Sequence, residues 1–331
     1  MKLLVTGGLG FIGSNFINYW LSNYTNDYIV NVDKVTYAAN FENINDPNNR
    51  NYRFVKADIN DKIVMEELIA SSDAVINFAA ESHVDNSIFS PREFMMSNYI
   101  GVFNILELVR KYDKRLHQVS TDEVYGSLAI DSKDRFNEKS CYNPRNPYSS
   151  TKAAADFLIK SYVNTYGIKT TISNCSNNFG PNQHPEKLIP KTILNALSNM
   201  KIPIYGNGKQ VRDWIYVEDH CRALDLILKK GKIGETYLIS SENEMSNFDV
   251  VNKILSVLDA PSNLIEHVSD RPGHDKRYAL CSEKIRKDLG WFPKNNFEEA
   301  IIKTILHYRK NIHKYIKKQC ITQVDRNADN K

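Results

Sequence analysis

The feature that most constrains this chain is its opening glycine cluster, Gly7-Gly8-Leu9-Gly10-Phe11-Ile12-Gly13, set between an apolar β-type run at 2–6 and an amphipathic stretch reaching about Asn23. It satisfies Gly8-x-Gly10-x-x-Gly13 and also the wider Gly7-x-x-Gly10-x-x-Gly13. A strand that turns on glycine straight into a helix brings bare backbone and a helix N-terminus to one point, where unpaired N–H groups and the macrodipole favour an anion. Further β-type runs lie at 29–33, 52–57, 74–78, 115–120 and 170–175, with helical periodicity at 62–70, around 93–112 and after Tyr148. Strands alternating with helices of this length predict right-handed βαβ units and an α/β fold with a Rossmann-type, doubly wound parallel sheet.

Past about Asn177 the texture changes, and Pro181, Pro185, Pro190, Pro203, Pro261, Pro272 and Pro293 divide shorter elements. A length of 331 residues accommodates two units. We expect a nucleotide-binding domain over 1–176, a smaller α/β substrate domain over 177–318 and a polar tail at 319–331. The boundary need not be a single cut, because the sheet can take back segments from the second half.

Composition narrows the classes. Hydrophobic residues make up 42% and charged residues 25%, the proportions of an ordinary globular protein. No run of about eighteen apolar residues is present to span a membrane, and glycines interrupt the apolar start, so a cytoplasmic chain without a membrane contact is expected. Five widely spaced cysteines, Cys141, Cys175, Cys221, Cys281 and Cys320, form no Cys-x-x-Cys pair, which predicts reduced thiols, no disulfide framework and no metal site. The net charge of +4 is not gathered into a basic face with interleaved aromatics, so no nucleic-acid partner is expected. The run Arg309, Lys310, Lys314, Lys317, Lys318 reads as a solvated helix face.

Asp33 ends the second strand, twenty residues after Gly13, where a carboxylate can accept both ribose hydroxyls of an adenosine. It would repel a 2′-phosphate, which favours NAD over NADP; adjacent Lys34 is the one residue that argues otherwise. Asp58-Ile59 ends the third strand and can hold the adenine edge, or serve only as a strand-end cap. Tyr148 and Lys152, four residues apart at the start of an alanine-rich helix, share a face. An ammonium beside a phenol of ordinary pKa about 10 favours the phenolate, so Tyr148 is expected to act as a base toward a sugar hydroxyl. Ser120-Thr121-Asp122-Glu123 stands where the fifth strand meets the sheet's C-terminal edge, beside that tyrosine if the sheet is built as predicted.

Together these segments resemble the extended short-chain dehydrogenases/reductases that act on nucleotide sugars, and among them the 4,6-dehydratases. The likeness spans nearly the whole chain: TGGLGFIGS at 6–14, VDKVTYAAN at 32–40, AAESHVD at 79–85, STDEVYG at 120–126, PYSSTK at 147–152, NCSNNFGP at 174–181, PEKLIP at 185–190, PIYGNG at 203–208, RDWIYVEDH at 212–220 and DRPGHDKRYA at 270–279. The Thr-Asp-Glu sequence is the most specific, since related epimerases lack the acidic pair.

The resemblance implies NAD, tightly bound and regenerated each turnover, and a nucleotide-diphosphate sugar as substrate, with dTDP-glucose ahead of UDP-glucose. Catalysis would fall to Thr121, Asp122, Glu123, Tyr148 and Lys152. Tyr148, assisted by Thr121 and Lys152, would deprotonate the C4 hydroxyl, Glu123 would take the C5 proton, and protonated Asp122 would donate to the departing C6 hydroxyl. The cofactor would be held by Gly7, Gly10, Phe11, Ile12, Gly13, Asp33, Lys34, Val35, Thr36, Asp58, Ile59, Phe78, Ala79, Ala80, Glu81, Ser82, Ser97, Tyr148, Lys152 and Asn178. The substrate would meet Ser82, Ser120, Thr121, Asp122, Asn177, Lys187, Leu188, Pro203, Ile204, Tyr205, Arg212, Asn247, Asp270, Arg271 and His274; guanidinium groups such as Arg212 and Arg271 suit a diphosphate. His83 and His274 are expected to position or pack rather than catalyse. Helices near 93–112 and 148–166 correspond to those forming a four-helix homodimer interface in similar enzymes. Asn86, where relatives commonly carry Arg, and Phe179, where they commonly carry Tyr, depart from the pattern. A 4-epimerase of the same fold and a non-catalytic NAD-binding sensor or scaffold are the competing readings.

Overall fold

In the computed structural model, which describes residues 1–270 and 273–315, strand β1 (Lys2–Thr6) runs fully buried from Leu3 to Thr6 through the middle of a sheet. The first half supplies β2 (Tyr28–Asp33), β3 (Tyr52–Lys56), β4 (Ala74–Asn77), β5 (Arg115–Thr121) and β6 (Thr170–Cys175). Its helices are α1 (Phe11–Asn23), α2 (Lys62–Ala70), α3 (Val84–Phe89), α4 (Pro91–Phe94), α5 (Gly101–Lys111) and α6 (Pro147–Tyr166). The second half adds β7 (Asn177–Phe179), α7 (Leu188–Leu197), β8 (Ile202–Tyr205), β9 (Val211–Tyr216), α8 (Val217–Lys230), β10 (Thr236–Ile239), β11 (Glu244–Ser246), α9 (Asn247–Leu258), β12 (Ile265–Val268), α10 (Glu283–Leu289) and α11 (Phe297–Lys310).

The large sheet has the order β3-β2-β1-β4-β5-β6-β10, and every pairing in it is parallel. This is the doubly wound arrangement that the alternation predicts, with the strand order reversing beside β1. Parallel strands are covered on both faces, which explains their unbroken apolar runs. On one face Phe16, Ile17 and Trp20 of α1 pack with Leu224, Ile227 and Leu228 of α8. On the other, Met65 and Leu68 of α2, Ile105 and Val109 of α5, and Ala155 and Ile159 of α6 close the core.

The seventh strand comes from the second half: β10 pairs with β6 in the register Thr236↔Ile172 to Ile239↔Cys175. The remaining second-half strands form a β11-β9-β7 sheet and a β12-β8 pair. Around them α7, α9 and α11 bury Ile193, Ile254 and Ile301. No helix among the described residues is long and apolar enough to cross a membrane, and the described cysteines, Cys141, Cys175, Cys221 and Cys281, are free. The expected tail at 319–331, together with Lys317, Lys318 and Cys320, lies outside the described residues.

The helix expected around 93–112 is divided. Residues Met95–Ile100 form a π segment between α4 and α5. Such a bulge turns side chains that a regular helix would point elsewhere, and here Asn98 is buried against the loop after β4.

Candidate active site

At the start of α1 the N-cap is Gly10, with no side-chain cap and no acidic residue in the first turn. By contrast α6 carries a full capping box, Asn146 with Ser149, behind Pro147. The bare end of α1 therefore leaves backbone donors for an outside anion. Gly7 has φ +68°, and a Cβ there would lie 2.7 Å from Ala79 N; a Cβ on Gly13 would lie 2.5 Å from the Gly7 carbonyl. Only glycine keeps this cradle open.

Asp33 is fixed at the adjacent strand end by two backbone donors. Leu9 N–H donates to its Oδ2 at 3.0 Å and Val35 N–H to its Oδ1 at 2.8 Å. Burial raises the carboxyl's pKa, and these two bonds work against that rise. Val35, expected as a cofactor contact, does not line the cavity; it holds φ +62°, which is costly for a β-branched residue, and its side chain packs on the core. The strained backbone is what aims its N–H at Asp33. Lys34 Nζ stands 3.8 Å from Asp58 Oδ2 and 3.9 Å from Glu81 Oε1, so its charge is met by two carboxylates. A ribose with free hydroxyls fits beside Asp33 better than a phosphate does.

The opposite end of the same cavity holds the reactive groups. Thr121 ends β5, and its Oγ1 accepts from Glu123 N–H at 3.3 Å and donates to Asp122 Oδ1 at 3.2 Å. Asp122 is buried, and burial followed by the Glu123 charge raises its pKa well above the usual carboxyl range, with Arg212 opposing. Burial thus favours the neutral form of this carboxyl. Tyr148 and Lys152 project from one face of α6, both buried.

Here one expectation is corrected. The Tyr148 phenol is not lowered: burial and then the Glu123 charge push it well above its ordinary value, with a Thr121 hydrogen bond opposing. Lys152 Nζ instead donates to the Val119 carbonyl at 2.7 Å. The motif spacing places the pair correctly but carries no information on the desolvation that dominates it.

One cavity is lined by all the expected cofactor residues except Val35, and by Ser82, Ser120, Thr121, Asp122, Asn177 and Lys187 of the expected substrate set. Strand ends from β1 to β6 each contribute, as a doubly wound sheet requires. The other described substrate candidates are not among its lining residues. Ile204 is in the core, and Leu188 begins α7 and packs against the core. Pro203 and Tyr205 belong to β8, and Asn247 opens α9. Asp270 takes His274 Nδ1 at 2.6 Å and Gln210 Nε2 at 3.0 Å. Arg212 is buried; it donates to the Val211 and Asp275 carbonyls at 2.8 and 2.9 Å and sits 4.3 Å from the Tyr278 ring centre. Arg271 lies outside the described residues.

The sequence reading missed several contributors. Asn98 donates to the Glu81 carbonyl (3.0 Å) and Thr151 Oγ1 (3.1 Å) and accepts from Glu81 N–H (2.9 Å), tying the loop after β4 to α6. A single asparagine within a helical run gives no signal of this. Cys175, Gln183, His184 and Glu186 also line the cavity. His83 accepts from Asn86 N–H as the cap of α3 and stands 3.4 Å from Glu186, in keeping with positioning rather than catalysis. Asn86 is exposed on α3. Phe179 is buried between the rings of Tyr216 and Phe297, so its missing hydroxyl is accommodated by packing.

A family model described as GDP-mannose 4,6 dehydratase matches residues 4–304. A dTDP-glucose 4,6-dehydratase of Mycobacterium tuberculosis is 48% identical over 312 residues, covering 94% of each chain. The chain belongs to the dTDP-glucose 4,6-dehydratase family. A family structure from Bacillus anthracis, in complex with NAD, superposes with a TM-score of 0.90 at 43% identity, covering 96% of this chain and 99% of that one. Another, DesIV from Streptomyces venezuelae with NAD bound, gives a TM-score of 0.93 at 38% identity over 96% and 100% of the two chains. The span matched by the family model takes in the whole cavity lining, from Gly7 to Lys187.

Proposed function

We propose that this chain catalyses the NAD-dependent 4,6-dehydration of a nucleotide-activated glucose, converting dTDP-glucose to dTDP-4-keto-6-deoxyglucose. The observation that carries the reading is the buried Asp122 beside cavity-lining Glu123, opening onto the same cavity as the glycine cradle and Tyr148. A 4-epimerization needs no such acid–base pair.

Gly7, Gly10 and Gly13 would hold the cofactor's pyrophosphate, Asp33 its adenosine ribose, and Lys152 the second ribose. When bound, NAD supplies the oxidising capacity that takes hydrogen from C4 and gives it back at C6. Tyr148 takes the C4 hydroxyl proton, with a Thr121 hydrogen bond favouring its anion against burial and Lys152 one turn away on the same helix face. The resulting ketone acidifies C5. Glu123, bordering the cavity, removes that proton, and neutral Asp122 donates to the departing C6 hydroxyl. Two carboxyl groups with different burial thus serve as base and acid in one step.

Exposed apolar side chains on the surface of α3, the π segment and α6 support a homodimer: Phe89 is 84% exposed and Phe157 57%, with Met95, Met96 and Tyr166 also exposed. Two copies of α6 and the π–α5 helix would make a four-helix interface. We assign the reaction to the cytoplasm, where thiols such as Cys175 stay reduced.

The test is to incubate the purified protein with dTDP-glucose and UDP-glucose in parallel and follow the 4-keto product. Product from dTDP-glucose ahead of UDP-glucose is expected. Turnover of neither overturns the reading, and a preference for UDP-glucose overturns the base assignment.

A further inference from the structure

Asp156 follows Lys152 by four residues and Tyr148 by eight, so all three fall on one face of α6. It is 0% exposed. Its Oδ2 accepts from Ser120 Oγ at 2.8 Å, Tyr142 OH at 3.1 Å and Asn174 Nδ2 at 3.2 Å. The same Asn174 amide donates to the Thr121 carbonyl at 3.1 Å. With Lys152 on the Val119 carbonyl, α6 is thereby fastened to three successive residues at the end of β5, directly before Asp122 and Glu123. The other oxygen, Oδ1, is buried with no hydrogen-bond partner. A buried carboxylate left half-satisfied is costly unless a compensating charge is near.

The charge that acts most strongly on it is that of Lys152, one helical turn earlier on the same face, though the two side chains form no direct ion pair. Burial raises the Asp156 carboxyl and lowers the Lys152 ammonium, and each is the strongest charge opposing the other's shift. The other titratable groups facing the pair are Lys160 on α6, Cys175 on β6, and Tyr125 and Tyr142 from the segment before α6, while Asp122 and Glu123 act on Tyr148, one turn before Lys152. Among the groups named, only Lys160 adds positive charge, and its Nζ is directed to Tyr142 OH at 3.5 Å.

We propose that Asp156 is a positioning residue: its buried carboxylate keeps the Lys152 ammonium charged and aligned against the end of β5, where Lys152 serves Tyr148. The inference rests on the reading of Tyr148 and Lys152 as the catalytic pair, but it can be tested without turnover. In enzyme labelled with carbon-13 at the lysine ε position, the Lys152 resonance, assigned by its loss in K152M, reports the ammonium titration. In D156N its midpoint should fall by at least about one pH unit, as expected on losing a neighbouring opposite charge. In Y142F, which removes a hydrogen bond but no anion, it should stay within about half a unit of the parent. An unmoved midpoint in D156N, or an equal fall in Y142F, overturns the proposal.

The reciprocal measurement covers the case in which D156N does not fold. In K152M the Asp156 carboxyl carbon should titrate at higher pH than in the parent by about the same interval, because the coupling is mutual. An unshifted carboxyl overturns the proposal. In turnover, D156N should lower kcat about 10- to 100-fold, with KM for the nucleotide sugar changed less than about threefold. A parent enzyme that converts no nucleotide sugar contradicts the function proposed above, whereas the Lys152 midpoint judges Asp156 by itself.

Discussion

Asp122 and Glu123 are adjacent in the chain but differently buried: Asp122 is 2% exposed with Oδ2 lacking a hydrogen-bond partner, while Glu123 borders the cavity half-buried. Neighbouring acids held apart in this way can occupy different protonation states at one pH. Asp122, raised by burial, is protonated below its shifted pKa and can donate; as pH rises through that value the donor is lost and kcat should fall. Asp122→Asn should lower kcat about 100-fold or more while leaving C4 oxidation intact, so that reduced nicotinamide accumulates on the enzyme in stopped-flow absorbance traces. Unslowed water loss would remove Asp122 from the acid role.

Asn98 makes three hydrogen bonds from a buried position, joining the loop at Glu81 to α6 at Thr151. Asn98→Ala would strand the Glu81 backbone groups and take from the Thr151 hydroxyl one of its two hydrogen bonds, leaving the one it donates to the Tyr148 carbonyl. A loss of about 2–4 kcal/mol is expected, seen as a lower denaturant midpoint, together with weaker NAD binding by titration calorimetry. A variant as stable as the parent would show that these contacts are dispensable.

Much of the architecture was legible because its signals are local. The glycine cradle, the apolar strands from β1 to β6 and the Tyr148–Lys152 spacing each lie within a few residues of sequence. What escaped depends on burial and distance. That the sheet can take back a segment of the second half is expected, but nothing around Thr236–Ile239 marks it as the strand that pairs with β6, and the phenol of Tyr148 is governed by desolvation that spacing cannot encode. The sequence marks Arg212 as a candidate anion ligand but does not show what holds its guanidinium, which is fixed by the Val211 and Asp275 carbonyls and the Tyr278 ring. The inward turn of Asn98 likewise belongs to the π segment, which helical periodicity does not reveal.

Asp213 accepts from Ser240 Oγ, Ser241 Oγ and Asn243 N–H, and burial pushes its carboxyl up from 3.8 to about 6. A raised acid binds its proton more tightly folded than unfolded, so its contribution is complete below the unfolded pKa and is lost as pH rises toward the folded one. Between about pH 4 and 6 Asp213 should therefore cost on the order of 3 kcal/mol of stability. Urea unfolding across that window should show a shallower decline for Asp213→Asn than for the parent. Identical slopes would refute the assignment.

Phe157 lies 57% exposed on α6. If the α6 surface is the dimer interface, the parent should run at the mass of two chains in light scattering, and Phe157→Glu should shift it toward one. A one-chain parent would contradict the dimer.

The most direct test of the whole account is to supply dTDP-glucose carrying deuterium at C4 to the purified enzyme with no added reductant and examine the product by mass spectrometry and NMR. The label should appear on the C6 methyl of the 4-keto product, with NAD unchanged in amount. Deuterium released to solvent or into free reduced cofactor would contradict it.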